Sequence, residues 1–443
     1  MSYKSTLLVL IVLFSFAGSS SAQENSPYSR YGMGDLVPNT SIINRSMGGV
    51  AAAYADYDRR YDERGLPKAQ TVNFLNPASY AKMRITSFDL GFEVDSRTIS
   101  SASLGEKFNA KSAIISYLQL GLPLSRKHGL GMNLGLRPVT RVNYKIQRSE
   151  KLPGLDSIAH LYEGIGGAYQ VYAGLGKTFF KHLSVGFNTG YFFGTKDYST
   201  RNIFLPDTTS TATYKSNYET KASFGGVFFD AGAQYEAQLG KSSILHLGAY
   251  GTVKRNYSAS RDRLIETYEY DANGGIYRID SVYSKTGEKG KLQYPSTLGF
   301  GFLFEKIDKW QFGADYTTTS WNDYRSFGEL DSVGKSWLVK VGGQVTPNLY
   351  SPTSYWSRVS YRAGFYFGPD YIRANGELSQ FGASAGLGLP VRKNPYTNQF
   401  TYINIGLEYG RRGNRNNLLN ENIFRIAAGF TLSDLWFIKR KYN

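Results

Sequence analysis

From residue 84 onward, apolar and polar positions alternate with a period of two. Phe88, Leu90, Phe92 and Val94 interleave with Asp89, Gly91, Glu93 and Asp95. Leu130, Met132, Leu134 and Leu136 alternate with Gly131, Asn133, Gly135 and Arg137; Leu183, Val185, Phe187, Tyr191 and Phe193 alternate with Ser184, Gly186, Asn188 and Gly190. Successive side chains of a strand point to opposite faces, so each segment has one greasy face and one polar or glycine face. The pattern predicts strands at Phe88–Val94, Ile114–Leu124, Leu130–Val142, Gly166–Phe179, Leu183–Gly194, Tyr218–Tyr235 and Ile244–Tyr257. Seven more follow at Thr297–Phe304, Trp310–Thr318, Trp337–Val345, Arg358–Phe367, Phe381–Pro390, Tyr402–Tyr409 and Phe424–Leu432. Many approach the roughly 10 residues that a tilted strand needs to cross a bilayer, and no amphipathic helix is available to cover a sheet face. The expected fold is all-β: a transmembrane antiparallel β-barrel of about 14 strands, an even number as bacterial single-chain barrels have.

The connections alternate unevenly. Arg126-Lys127-His128, Phe180-Lys181-His182 and Glu305–Lys309 are short and are expected on the periplasmic side. Asn202–Tyr214 and Asp262–Lys291 are long and polar and are expected outside the cell, the second with room for a small hairpin. Aromatics at Phe179-Phe180, Tyr191–Phe193 and Tyr355-Trp356 suit interfacial belts. Past the last alternating strand the chain continues through Trp436-Phe437 to a basic tail, Lys439-Arg440-Lys441.

The front end reads as an export signal. Lys4 precedes a short apolar core, Leu7–Ala17, and Ser20-Ser21-Ala22 offers small residues for cleavage. That core is too short to span a membrane as a helix. The expected organisation is a signal peptide at 1–22, a hatch or plug segment at 23–83 and the barrel at 84–443, located in the outer membrane.

Composition sharpens this picture. A chain of 443 residues that is 15% aromatic, with 48 Gly and 35 Tyr, suits a barrel wall whose inner face dilutes its hydropathy. The absence of Cys excludes disulfides, thiol chemistry and lipoprotein processing. The net charge of +16, from 51 Lys+Arg against 35 Asp+Glu, is scattered rather than clustered on one helix. It therefore points to outer-membrane lipid and lipopolysaccharide, or to an anionic substrate, and not to nucleic acid.

Residues 23–83 do not alternate. They hold Ser26-Pro27-Tyr28-Ser29-Arg30-Tyr31-Gly32-Met33-Gly34-Asp35, then Arg45-Ser46-Met47-Gly48-Gly49-Val50, then Asn73-Phe74-Leu75-Asn76-Pro77-Ala78. The small residues Gly48–Ala53 suit a short helix packed inside a barrel. Arg45-Ser46-Met47-Gly48-Gly49 followed by Asn76-Pro77-Ala78 resembles the N-terminal hatch of the FadL family of long-chain fatty-acid and hydrocarbon transporters. Tyr294-Pro295-Ser296-Thr297-Leu298-Gly299, Thr319-Ser320-Trp321-Asn322-Asp323-Tyr324 and Tyr361-Arg362-Ala363-Gly364-Phe365 resemble later family segments, in family order. The resemblance implies a fourteen-stranded barrel with a lumenal hatch, in which Arg45, Gly48, Gly49, Asn73, Asn76 and Pro77 are the hatch and gating candidates. It also implies uptake of small hydrophobic, fatty-acid-like molecules with lateral exit through the wall. The start Ser26–Gly32 is similar to that of relatives from Bacteroidetes-like bacteria, some of which are accessory subunits of secretion or assembly machines. The charged insert between the two hatch motifs, and the lack of an apolar pair of capture helices, depart from the transporter pattern.

Asp89, Glu93, Asn133, Arg137 and Asn188 fall on the lumen-facing phase, where a partner in the hatch is the simpler expectation than a substrate. Pro138 removes a ladder donor, and marks either a wall break or the point where the strand leaves the membrane. No catalytic, metal or cofactor site is expected. The four His, at 128, 160, 182 and 246, have no i,i+4 pair, and neither G-x-S-x-G nor a phosphate-cradling loop occurs. Asp56, Asp58, Asp62 and Glu63 are interleaved with Arg59, Arg60 and Arg64, as in a charge-balanced loop rather than a calcium loop. Two function classes stand: a hatch-gated channel for hydrophobic molecules, and a non-transporting accessory or docking subunit of an outer-membrane protein secretion or assembly machine with envelope protein partners.

Overall fold

The structure is a computed structural model that describes residues 26–56, 69–101, 105, 107–151, 157–180, 182–205, 214–271, 273, 275–374, 376–391, 399–414 and 417–434. The export signal at 1–22, residues 57–67 of the charged insert and the tail from Trp436 lie outside the described residues.

Fourteen antiparallel wall positions form the barrel. They are β1 (Thr86–Ser101), β2 (Lys107–Ser125), β3 (Leu130–Lys151), β4 (Ser157–Phe179), β5 (Leu183–Leu205) and β6 (Lys215–Gln238). Position β7 is made by Ser243–Thr252 and Arg255–Tyr270, which pair in turn with β6. Position β8 is made by Ile276–Tyr294 and Thr297–Lys306, which pair with the two parts of β7. The wall continues with β9 (Trp310–Thr319), β10 (Ser336–Val345), β11 (Ser360–Pro369), β12 (Ser379–Pro390), β13 (Phe400–Arg412) and β14 (Leu419–Asp434). Closure comes from β14 returning to β1 in unbroken register, from Leu419↔Ser101 to Asp434↔Thr86. This pairing leaves neither the first nor the last strand with a free edge toward the bilayer.

The alternation reads directly onto the two faces. Phe92, Val94, Phe187, Phe300, Phe312, Phe365 and Leu407 are exposed on the outside of the wall. Asp89, Glu93, Asp95 and Arg97, one position out of phase, are buried inside. An apolar outer band with a polar lumen is the arrangement of a transmembrane barrel. Among the described residues no helix is long and apolar enough to cross a membrane.

Each predicted strand corresponds to one wall position, but four details differ. The expected loop Asp262–Lys291 is wall: β7 runs on to Tyr270 and β8 starts at Ile276, so only a tight turn separates them. This hairpin rises beyond the bilayer, where nearly all of β8 from Ile276 to Gly287 is exposed, and a segment wet on both faces has no reason to alternate. There the Arg261 guanidinium donates to Glu288 (2.7 Å) and Glu329 (3.0 Å), clipping the hairpin to the loop after β9. That hydrogen bond pulls the Glu288 carboxyl down to about 2. The expected loop Asn202–Tyr214 loses its first residues to β5, which extends to Leu205. Arg358 belongs to a 3-10 turn, Trp356–Arg358, and not to β11. Phe192 points inward and is fully buried; only its neighbours Tyr191 and Phe193 face out.

The two barrel ends are unequal. Turns such as those after Ser125 and Phe179 are short and lie at the end where β1 begins and β14 finishes; the longer strand extensions lie at the other. In outer-membrane barrels short turns face the periplasm.

One seam is incomplete. Strand β2 pairs with β3 only from Ser125↔Leu130 to Leu118↔Leu136. Beyond that Pro138 interrupts β3, and the register against β4 slips between Pro138 and Thr140. Gly167 opposite lets β4 follow the bend, since a Cβ there would lie 2.5 Å from the Thr140 carbonyl oxygen.

The lipid-facing phase yields a test. Phe92→Arg should cost about 2–4 kcal/mol, the cost of a guanidinium near the bilayer midplane. Equilibrium unfolding in lipid vesicles measures it; a cost near zero would place Phe92 on the wrong face.

Candidate functional site

The hatch segment lies inside the lumen. It opens with a 3-10 turn, Pro27–Arg30, whose N-cap Ser26 accepts from Tyr28 N–H (3.1 Å) and whose Tyr28 hydroxyl donates to Leu419 O (2.7 Å). It then enters the incomplete seam. Asp35 and Leu36 pair with Arg141 and Thr140 on the edge that β3 turns inward, and Val37 N–H donates to Val139 O at 3.0 Å. Ser26 N–H donates to Asn143 O on the same edge (3.3 Å). The break at Pro138 is therefore dressed by the chain's own N-terminal segment.

Next comes a single helical turn, α1 (Ile42–Arg45), capped by the Ser41 hydroxyl. The helix expected over Gly48–Ala53 is not there. Gly48 (φ 69°) and Gly49 (φ 88°) end the helical run, because the left-handed backbone they adopt breaks the ladder. Their smallness serves a second purpose. The Gly48 backbone lies directly on the wall, where a Cβ would come within 2.7 Å of Phe365 N and Val341 O. Wall residues Gly342, Gly364, Gly248, Gly186 and Gly131 likewise lie against hatch backbone, where any side chain would overlap it. Asp315 on β9 accepts from both Ala51 N–H (2.6 Å) and Ala52 N–H (2.8 Å).

The second hatch motif is a clip. Asn73 Nδ2 donates to Ala51 O and Tyr54 O, both at 2.7 Å, tying the two halves of the hatch together. Asn76 Nδ2 donates to Ala52 O (2.6 Å), while its Oδ1 caps the 3-10 turn Pro77–Lys82 through Ala78 N–H (3.1 Å). Asn76 also reaches the wall carbonyls Ala233 O (3.3 Å) and Ala249 O (3.2 Å).

All five lumen-phase residues meet the hatch. Arg45 forms an ion pair with Glu93. Asp89 accepts from Val72 N–H (3.3 Å). The Tyr80 hydroxyl donates to Asn188 Oδ1 (3.0 Å) and accepts from Asn133 Nδ2 (3.3 Å). Arg137 lies over the Phe74 ring, 5.5 Å from its centroid, and donates to Gln170 on β4.

Two clusters of buried charge organise the lumen, and most of their members were not anticipated. In the first, Arg45 and Glu93 connect to Arg425, which bridges Asp95 (2.6 Å) and Glu408 (2.7 Å), and to Arg141, 2.8 Å from Asp95. In the second, Asp35 receives Arg97 (2.6 Å) and Arg412 (2.7 Å), which both reach Glu421, and Arg412 also meets Asp370 (2.5 Å). The available signal was parity: Asp95 and Arg97 share the phase of Asp89 and Glu93. Above the hatch, Trp321 and Tyr324 of the Thr-Ser-Trp segment fold inward, with the Trp321 and Tyr371 rings tilted against each other, centroids 4.3 Å apart. Between the aromatic group and the charge clusters remains a cavity of about 300 Å³, bordered by Leu36, Val139, Tyr294, Trp321, Arg97 and Arg412. Among the described residues no group of His, Asp and Glu could hold a metal ion.

A hatch bonded into a fourteen-stranded wall is matched by a family model. The model, named BamG, matches residues 2–443. The chain belongs to the BamG family. Among curated protein sequences none matches it. Solved structures similar to this BamG-family barrel include the CymD monoaromatic hydrocarbon channel, at 14% identity and a TM-score of 0.53, covering 90% of this chain and 99% of that one. A Pseudomonas aeruginosa FadL homologue (13%, TM-score 0.53, covering 91% and 98%) and the P. putida toluene transporter TodX (13%, 0.53, 91% and 100%) are similar too. At such identities the likeness is one of fold, and the fold is FadL-like.

Arg45 tests the hatch anchor. Arg45→Gln should destabilise the barrel by about 3 kcal/mol, the low end for stranding a buried carboxylate, since Arg425 lies 3.7 Å from Glu93. The double variant with Glu93→Gln should cost clearly less than the two singles summed, as read by unfolding in vesicles. Strict additivity would mean the pair does not couple.

Proposed function

We propose that this chain is an outer-membrane barrel that acts as a non-transporting accessory subunit, docking within a larger envelope machine for outer-membrane protein secretion or assembly. The observation that carries this reading is the bonded hatch. The N-terminal segment pairs with part of the open edge of β3 and is cross-linked to the wall by two charge clusters, so the hatch is bonded into the lumen on several sides. A passage for hydrophobic molecules would need an apolar lining, and buried ion pairs are a poor one. The β7–β8 hairpin supports the same reading from outside. It extends past the bilayer with Ile276, Tyr277, Val282 and Tyr283 exposed, more apolar surface than a lone solvated hairpin needs.

A second reading is uptake of small hydrophobic molecules, favoured by the cavity with Tyr294, Trp321 and Tyr371 on its border, and by the channels that share the fold. In that reading Arg45, Gly48, Gly49, Asn73, Asn76 and Pro77 belong to the gate, and exit is beside Pro138.

Gentle detergent extraction from native membranes, followed by sizing on native gels, separates the two. The accessory reading expects the barrel in a stoichiometric assembly larger than itself, and deletion that leaves uptake of labelled hydrocarbons and fatty acids unchanged. A lone barrel together with lost uptake would sink it.

A further inference from the structure

At the short-turn end, the hatch exit and the turns after β2 and β4 enclose a recess of about 460 Å³. We propose that this recess is a binding site for the phosphate of an anionic phospholipid in the adjacent leaflet. Its border carries Lys82, Arg84, Arg126, Lys127 and Lys177 against one carboxylate, Glu236. That carboxylate is met by Lys82 Nζ at 2.9 Å, and Lys127 and Lys177 bring further cations to the same border. Thr178, whose backbone N–H is used by Gly129 O (2.9 Å), contributes a hydroxyl on the inward side. His128 and His182 complete the border and offer further ring nitrogens.

What distinguishes a lipid headgroup from a free anion is the side on which the recess opens. Lys177 stands on the exposed outer face of β4, 5.1 Å over the Phe179 ring, while Thr178 faces in. The recess thus straddles the rim, from lumen to bilayer surface. Next to it Phe180 is 90% exposed and holds a left-handed backbone, φ 48°, a conformation in which a bulky residue is an outlier. With the exposed Phe179 ring before it, which Lys177 overlies, it forms an apolar shelf beside the cationic recess. Basic recesses between spanning segments at a membrane surface recognise anionic headgroups, with acyl chains lying along the wall below. A soluble phosphate would have use for the cations but none for the shelf.

The full-length barrel, purified in neutral detergent, is incubated with phosphatidylglycerol or phosphatidylcholine micelles and read by native mass spectrometry, with excess inorganic phosphate as competitor. Wild type should retain phosphatidylglycerol in preference to phosphatidylcholine. The triple variant Arg126→Gln, Lys127→Gln, Lys177→Gln, none of them in the lumenal charge clusters, should lower that retention at least about tenfold. Phe180→Ser should also weaken lipid retention. Unheated gel mobility matching wild type reports that the variants are folded. Equal retention of the two lipids, or a triple variant that keeps phosphatidylglycerol, overturns the proposal. So does saturable binding of inorganic phosphate that abolishes lipid retention and is indifferent to Phe180→Ser, which would make the recess a free-phosphate site.

Discussion

Everything in this molecule depends on closing a circuit of backbone hydrogen bonds in a solvent that supplies none. In hydrocarbon an unpaired N–H or C=O costs several kcal/mol, so a sheet survives only if it has no edges. The β14–β1 seam meets that demand along its whole length. The β2–β3 seam does not, because Pro138 lacks a donor and bends β3 inward. On the β3 side the structure meets the fault with another strand edge from the same chain: Asp35, Leu36 and Val37 bond to Val139, Thr140 and Arg141. The hatch is therefore part of the wall's hydrogen-bond circuit and not simply its contents. Removing it would expose a bare edge of β3 as well as empty the lumen.

The same logic accounts for where the charges are. Asp35, Glu93, Asp95, Asp370, Glu408 and Glu421 are met inside the barrel by Arg45, Arg97, Arg141, Arg412 and Arg425, which leaves these two clusters close to neutral. Guanidinium groups suit the task, since each can serve two carboxylates at once in a fixed plane. The surplus of +16 must then reside elsewhere on the chain, and one concentration of it is the short-turn rim around Arg126, Lys127 and Lys177. The basic composition thus resolves into charge clusters neutralised inside and a cationic margin at the rim.

The wall was legible because lipid enforces alternation: Phe88, Phe92 and Val94 can only face out if Asp89, Glu93 and Asp95 face in. Where lipid is absent the rule lapses, and the extended β7–β8 hairpin looked like a loop for that reason. The hatch was legible as a segment without a period, and Arg45, Gly48, Asn73 and Asn76 stood out as individual residues. Their contacts were not legible. Arg45 meets Glu93 across 48 positions, and Asp35 meets Arg412 across 377. No local pattern encodes such distances. The misplaced helix over Gly48–Ala53 has a related cause. Small residues fit equally well in a tight helix or in backbone laid on a wall, and only the positive φ at Gly48 and Gly49, set by contact with Gly342 and Gly364, separates the two.

Whether the hatch can act as a gate is then a question of magnitudes. Withdrawing it as a body would break the Arg45–Glu93 pair, both Asp35 pairs, the Asp315 contacts to Ala51 and Ala52, and the bonds along β3. Stranding one member of a buried pair costs about 3–5 kcal/mol, and several are involved together. A small apolar ligand of about seven heavy atoms gains at most about 10 kcal/mol even at the best observed efficiency. Such a ligand cannot drive the whole hatch out by its own binding. Any movement it induces has to stay above the charge clusters, among Val139, Tyr294, Trp321 and Tyr371, where contacts are apolar and individually weak. A protein partner is under no such ceiling, because an interface of ordinary size can engage the exposed hairpin without disturbing the hatch. On the accessory reading proposed above, the rigid lumen and the projecting hairpin go together: an interior held fixed lets the outer surface present a constant shape.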